Sequence, residues 1–462
     1  MSRGAYRQTI ADALAAGCTF AGLHATHGGS SVRVALRRPD GMLLVETATV
    51  QDGAIPTIVD LTPAAGWDER EAADLYGVAF DGHRPLRPLV AHDLSLDSWT
   101  VPVRGDDPYQ VAVGPLHAGV IESGHFRFHV VGDRILHVDA RLFYKHRGLE
   151  RAAEGATLDG GLAYVTRACA ACAVSNAVAY AHACEEAFGL HPTGELARTR
   201  TILLEVERVW NHLNDIAAIC AGAGVAAGNN LFAALTESAR RLNARLCGHR
   251  FGFGAVQVGT SSLALDLAAV SAARRELTEI RAAARRAWRE LAFNSSFADR
   301  LPEIGVVTPD LARAAGAVGP AARASGIAED ARASSPRLLY HGFAPVGPER
   351  AAGDVQARFE QRALELWQSF ELLDSLLGTP VVPASAEPGG RVAELGAACI
   401  ESPRGATLCV VEQTGGRIDR LRLRTGSYAN WPVLAAAAAG NLLPDFPLIN
   451  KSFELCYACA DR

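Results

Sequence analysis

Two cysteine doublets, one in the middle of the chain and one near its end, constrain this fold more than any other feature. Cys169 and Cys172 lie in RACAAC, and Cys456 and Cys459 lie in ELCYACADR. Four thiolates suit a soft metal centre, and the fold has to bring the doublets together to make one. A CxxC on a helix places both sulfurs on one face, because positions i and i+3 are neighbours there. One doublet alone is a weak signal, since the same spacing occurs in redox sites, zinc sites and ordinary packing.

At 462 residues, with 49% hydrophobic and 21% charged residues, the chain reads as globular and long enough for two or more domains. Abundant Ala, with Val, Ile, Thr and aromatic residues gathered near the N-terminus, predicts a helical protein carrying a smaller β-containing part. A net charge of -5, with the 45 basic residues spread out, argues against a nucleic-acid surface. The opening MSRGAYRQTIADALAAGCTF contains Asp12 and does not read as a secretory signal. The longest apolar candidate for a membrane span, Val433 to Leu443, is broken by Gly440 and Asn441 and falls short of the roughly 20 residues required. Ten cysteines without an export signal are expected to stay reduced. Cys18, Cys184, Cys220, Cys247, Cys399 and Cys409 have no metal-like spacing and read as small core residues.

Residues 31–62 alternate apolar and polar in SVRVALRR, MLLVETATV and AIPTIVDL, with Asp40-Gly41 and Asp52-Gly53 between them, which predicts an antiparallel sheet. A short acidic helix, WDEREAADLYG, stops at Gly77. The proline-bearing stretch 83–108 reads as a connection between domains, giving an α+β part over 1–95, a linker over 96–110 and a mainly helical part over 111–462 with small peripheral sheets. The helical part opens on a β-rich entry, roughly 110–140. In TILLEVERVWNHLNDIAAIC the apolar positions form one helical stripe, and Glu205, Arg208, His212 and Asp215 form another, which by itself reads as a solvated face. Further helical patterns cover 231–250, 264–294 and 354–377.

Taken in order, GPLHAGVIESGHFRFHV (114–130), LFYKHRGLER (142–151), RACAACAVSNAVAY (167–180), LLEVERVWNHLND (203–215), ESPRGA (401–406) and DFPLINKSFELCYACADR (445–462) resemble the large subunit of energy-converting nickel-iron hydrogenases of the formate hydrogenlyase type. That family is related to the quinone-pocket subunit of respiratory complex I. EREAADLYGVAFDGHRPLRPL (69–89) resembles the small peripheral-arm subunit of complex I, fused ahead of the large subunit in hydrogenlyases.

The resemblance implies that Cys169 and Cys456 are terminal nickel thiolates. Cys172 and Cys459 would bridge nickel to an iron carrying carbon monoxide and cyanide. Splitting hydrogen heterolytically needs a metal to take the electron pair and a base to take the proton, and thiolates serve such a site well. Arg404 in ESPRG matches the arginine placed over the iron ligands, and Glu122 in IESGHF matches the glutamate that carries protons. His125, His146, Glu205 and His212 are also family positions. The chain departs from the family pattern in three places: Ser123 stands after the glutamate where proline or glycine is usual, Ala170 replaces the usual glycine after the first cysteine, and Asn176 replaces the usual histidine four residues after the second. Asn forms hydrogen bonds but carries no proton near neutral pH. In such subunits the mature end falls three residues beyond the last cysteine, where Arg462 stands here.

The expected function is therefore proton reduction and hydrogen oxidation at a nickel-iron centre. With no further iron-sulfur spacing in the chain, electrons are expected to pass through a cluster-bearing small subunit, with membrane subunits beneath and a formate dehydrogenase or ferredoxin-like protein as donor. The expected location is peripheral, on the cytoplasmic side of the membrane. Two alternatives stand beside this reading. One is a complex I-like NADH:quinone oxidoreductase subunit without nickel, with His117 or His125 near the quinone headgroup. The other is a scaffold with a structural zinc on the four cysteines.

Overall fold

The structure, a computed structural model, describes residues 3–93, 95, 99–117 and 122–462. Residues 96–98 of the expected linker and 118–121 of the GPLHAGVIESGHFRFHV segment lie outside the described residues.

After α1 (Arg3–Ala15), strands β1 (Thr19–Ala25), β2 (Ser31–Arg37) and β3 (Leu43–Thr49) form an antiparallel sheet in that order. Gly41, at φ 84°, makes the β2–β3 turn, which needs the left-handed conformation open to glycine. The third alternating stretch does not continue this sheet. β4 (Ala54–Pro56) pairs instead in parallel with β5 (Ala79–Asp81), across α2 (Gly66–Tyr76). Alternation shows which face is buried but not which strand is the partner. Beyond β4 the chain leaves the sheet: Ile58 N and Thr57 Oγ1 donate to the buried Glu69 of α2, at 2.8 and 2.6 Å. Helix α2 ends as its sequence predicts, with Gly77 at φ 68°.

A second antiparallel sheet, β6 (Tyr109–Val113), β7 (His125–Val131) and β8 (Arg134–Arg141), begins inside the stretch expected to be linker. Helices α3 (Leu158–Thr166), α4 (Ala173–Ala187), α5 (Gly194–Gly222), α6 (Ala226–Cys247), α7 (Leu267–Ala292) and α8 (Val355–Leu376) follow. Side-chain caps set several starts: Thr193, Asp266 and Asp354 accept from backbone N–H groups in the first turns of α5, α7 and α8. The apolar stripe of α5, including Ile202, Val209, Trp210 and Leu213, packs with α6, α7 and α8 in the largest core.

The chain closes with an antiparallel sheet, β9 (Leu395–Ser402), β10 (Gly405–Thr414) and β11 (Arg417–Arg424), then α9 (Gly426–Ala438), α10 (Phe446–Phe453) and α11 (Tyr457–Asp461). Helix α4 lies on this sheet so closely that a Cβ on Gly396 would meet Ala183 O at 2.0 Å. The sheet's other face meets the first sheet through Ala35, Ala397, Leu408 and Val410. Among the described residues no helix is long and apolar enough to cross a membrane.

The polar stripe of α5 is not a solvated face. Glu205, Arg208, His212 and Asp215 are all fully buried. Glu205 accepts from Tyr340 OH and Ser369 Oγ, both at 2.6 Å, and His212 Nε2 lies 3.2 Å from Glu365 on α8. Arg323 joins Glu365 to Glu401 at 2.9 Å on each side, and Arg208 donates to the carbonyls of Glu401 and Ser402. Helix α8 thus supplies charges that the α5 sequence alone does not reveal.

Candidate metal centre

The first doublet is shaped by the chain just ahead of α4. Cys169 has extended backbone, a single 3-10 turn covers Ala170–Cys172, and α4 begins at Ala173. The sulfurs therefore converge across a turn and not along a helix face, because Cys169 precedes the first helical residue. The leading amides of α4 need acceptors. Glu207 on α5 provides them, accepting from Val174 N at 2.7 Å, Ser175 N at 3.0 Å and Ser175 Oγ. Burial pushes this carboxyl up to about 7, against the lowering effect of those donors.

The second doublet opens α11, where Cys456 Sγ accepts from Cys459 N at 3.3 Å. Cys456 N donates to Ser427 Oγ, and Thr425 Oγ1 donates to Cys459 O, each at 3.1 Å. Tyr457, between the cysteines, packs edge-on against Trp431 at 4.8 Å. It also comes so close to Gly124 that a Cβ there would lie 2.5 Å from its ring.

The fold brings the doublets together. Cys169 Sγ and Cys456 Sγ are 3.0 Å apart, far beyond a disulfide bond. The sulfurs of Cys169, Cys456 and Cys459 lie within 4.8 Å of one another, and Cys172 packs in the same cluster. Donation from Cys172, Cys456 and Cys459 pulls the Cys169 thiol well down, with Arg404 assisting, and the same contacts push the other three up.

Arg404 stands beside the sulfurs. It donates from Nε to Glu454 O at 2.7 Å, from Nη1 to Asn211 Oδ1 and from Nη2 to Asp215 Oδ1 at 3.2 Å. Burial disfavours its charge, but Asp215 and the sulfurs of Cys172, Cys169 and Cys456 more than restore it. Asp215 also accepts from Arg362, which donates onward to Phe453 O at 2.6 Å. Burial would raise the Asp215 carboxyl, yet Arg362 and Arg404 hold it down at about 2.

Glu122 lies at the edge of the cluster, its Oε2 accepting from Ala458 N at 3.0 Å and 3.9 Å from Cys456 Sγ. Burial raises its carboxyl above the ordinary range. The two imidazoles named for the quinone reading each bond a backbone carbonyl. His117 Nε2 lies 2.6 Å from Gly124 O, and His125 Nδ1 lies 3.2 Å from Gly114 O, so each fastens the other's stretch of backbone. His125 Nε2 is buried without a partner. Asn176 is fully buried, with Nδ2 donating to Val165 O at 3.3 Å and Oδ1 without a partner. His146 Nδ1 bonds Asp461 O at 2.6 Å, behind the second doublet.

Glu207 and Asn211 were not singled out in the sequence reading. Glu207, Asn211 and Asp215 recur every fourth residue along α5 and share the face turned to the cysteines. That spacing was the available signal.

Two family descriptions match the chain: the 30 Kd subunit of the respiratory-chain NADH dehydrogenase over residues 21–112, and its 49 Kd subunit over residues 225–383. Formate hydrogenlyase subunit 5 of Escherichia coli (strain K12) is 32% identical over 88% of this chain and 77% of its own length. Hydrogenase-4 component G of the same organism is 30% identical over 88% of this chain and 76% of its own. Among solved structures, a chain of the membrane-bound sulfane sulfur reductase, an archaeal respiratory membrane complex, superposes with a TM-score of 0.71 at 26% identity, covering 77% of this chain and 99% of that one. The chain therefore belongs to the family of formate hydrogenlyase subunit 5, an oxidoreductase subunit in which parts of complex I 30 Kd and 49 Kd type are fused.

Proposed function

We propose that this chain is the catalytic large subunit of a membrane-associated nickel-iron hydrogenase, interconverting protons and electrons with hydrogen. One observation carries the reading: four cysteines from two distant doublets meet in a buried cluster flanked by one permanent cation, Arg404, and one carboxyl, Glu122. Relatives that are hydrogenase subunits support it.

The donor set fits such a centre. Soft sulfur ligands suit nickel and iron, and cysteine thiols release their protons when they bind a metal. Cys169, Cys172, Cys456 and Cys459 would hold the two metals through their sulfurs. When bound, the metals supply the redox chemistry that takes up or returns the electron pair of hydrogen. Arg404 offsets the negative charge of the thiolates, and its planar fork is fixed by Asn211, Asp215 and Glu454 O. Glu122 takes a proton from the sulfur side at Oε2. Burial raises its pKa, so it holds that proton more readily than an exposed carboxyl would. Asn176 carries no proton near neutral pH, so this reading assigns the acid-base role at the sulfurs to Glu122.

The organisation that goes with this function is an α+β unit over 1–95, a connection over 96–110 and a large-subunit unit over 111–462. Electrons pass to an iron-sulfur small subunit, and the assembly sits on membrane subunits at the cytoplasmic face. The match to the 49 Kd family favours a second reading, a complex I-type quinone oxidoreductase subunit without nickel. Elemental analysis of the purified complex, together with infrared spectroscopy, separates the readings. Nickel and iron with carbon monoxide and cyanide bands are expected. Zinc alone would turn the site into a structural one, and the absence of metal from a matured sample would leave the quinone reading.

A further inference from the structure

The segment that carries the second doublet is tied to the N-terminal part of the chain by buried charge. Helix α2 contributes Asp68 and Glu71, β11 contributes Arg422 and Arg424, and Arg462 follows α11 directly. Glu71 Oε2 accepts from Arg462 Nη2 at 2.6 Å, and its Oε1 accepts from Arg422. Arg462 Nη1 reaches Glu150 Oε1 at 2.8 Å and Leu423 O at 2.6 Å, and its guanidinium lies over the Tyr428 ring at 4.8 Å. Asp68 takes Arg422 at 2.9 Å and Arg424 at 3.0 Å. Arg462 is 2% exposed.

A guanidinium buried this deeply has to be paired, and removing one partner leaves an uncompensated charge. Helix α11 has only five residues and cannot stand on its own hydrogen bonds. Its place is set at its ends, by Ser427 and Thr425 around the cysteines and by the Arg462 pairs beyond them. Without Glu71, Arg422 and Arg462 are left with Asp68 and Glu150, which already serve Arg424 and Arg420.

The geometry points to Glu71 as a positioning residue for Cys456 and Cys459: the N-terminal α2 helix clasps the second cysteine doublet and holds it in register with the first. This rests on the sulfurs being metal ligands. It assigns the fused N-terminal part a role inside the site, in addition to any role in docking partners.

The test is amide hydrogen exchange on the full chain purified with its partners from nickel-starved cells, comparing wild type, Glu71→Gln and Glu71→Asp. Nickel content is then measured after growth with nickel. Exchange over 456–462 is expected to quicken about tenfold in Glu71→Gln, while most of α2 stays protected, with a matching fall in nickel content. Glu71→Asp, which keeps the charge but shortens the reach, is expected to recover part of both. Should Glu71→Gln fail to fold, Glu71→Asp is compared with wild type and is expected to show a smaller rise over the same segment. Unchanged exchange over 456–462, or a rise confined to α2, overturns the proposal. Absence of nickel from the nickel-grown wild type would overturn the metal reading alone, because the exchange result is measured on nickel-free protein.

Discussion

Two buried polar regions lie side by side here, the charge network behind α5 and the sulfur cluster in front of it, and they are built on opposite plans. In the network, Glu205, Glu365, Glu401 and Asp330 are met by Arg208, Arg323, Arg332 and His212, so acids and bases nearly cancel. In the cluster, four sulfurs face the Arg404 guanidinium, and their own contacts are mainly with one another. Burial of charge therefore does not by itself mark a functional site. Among the described residues, the cysteine cluster is the one set of His, Cys, Asp and Glu donors gathered closely enough to share a metal ion.

The largest effect is expected from breaking the cluster. Cys456→Ser removes a soft ligand, and nickel content is expected to fall to background, while circular dichroism remains that of the wild type, since the network does not depend on that sulfur. Next comes Glu122→Gln, which leaves the sulfurs in place. Hydrogen evolution is expected to drop about 10²–10⁴-fold with nickel retained, because the variant cannot take a proton.

Breaking the network acts on stability. Arg323→Met leaves Glu365 and Glu401 without their shared partner, and denaturant unfolding is expected to show a loss of about 3–5 kcal/mol. The smallest effect concerns Glu207, which lies between the regions. Its folded pKa, near 7, is above the unfolded value, so its contribution is favourable at pH below about 4.5 and is lost as pH rises through 7. Glu207→Gln is expected to gain stability relative to wild type between pH 5 and pH 8. The gain is a few kcal/mol at most, at about 1.4 kcal/mol per pKa unit. A difference in melting temperature that stayed constant across that range would mean the carboxyl does not titrate there.

The sequence was most legible where chemistry depends on spacing. The doublets stand out by their spacing, whereas Arg404 and Glu122 are singled out only through the family resemblance of ESPRG and IESGHF, and the structure brings all of these residues to one place. Helix extents followed from period and caps. Partner identity was not legible. The charged stripe of α5 reads as a wet face until α8 arrives with Arg362, Glu365 and Ser369, because helical period defines faces and says nothing about what covers them. The same limit explains β4, whose alternation was real but whose partner lies beyond α2. The first doublet lies ahead of α4 and not on a helix, because the CxxC spacing is compatible with a tight turn as well.

Tyr457 has a consequence for how the site responds to its surroundings. With Trp431 and Phe126 it forms an aromatic wall behind the second doublet, and Gly124 leaves room for its ring. Attraction between Arg404 and the sulfurs then acts across a medium that mobile ions do not enter, so added salt should leave it nearly untouched. The rim pair Arg274–Asp374, open to water, should fade in the same buffer. Ionic strength is thus a means of loosening the periphery of this molecule while its centre keeps its field.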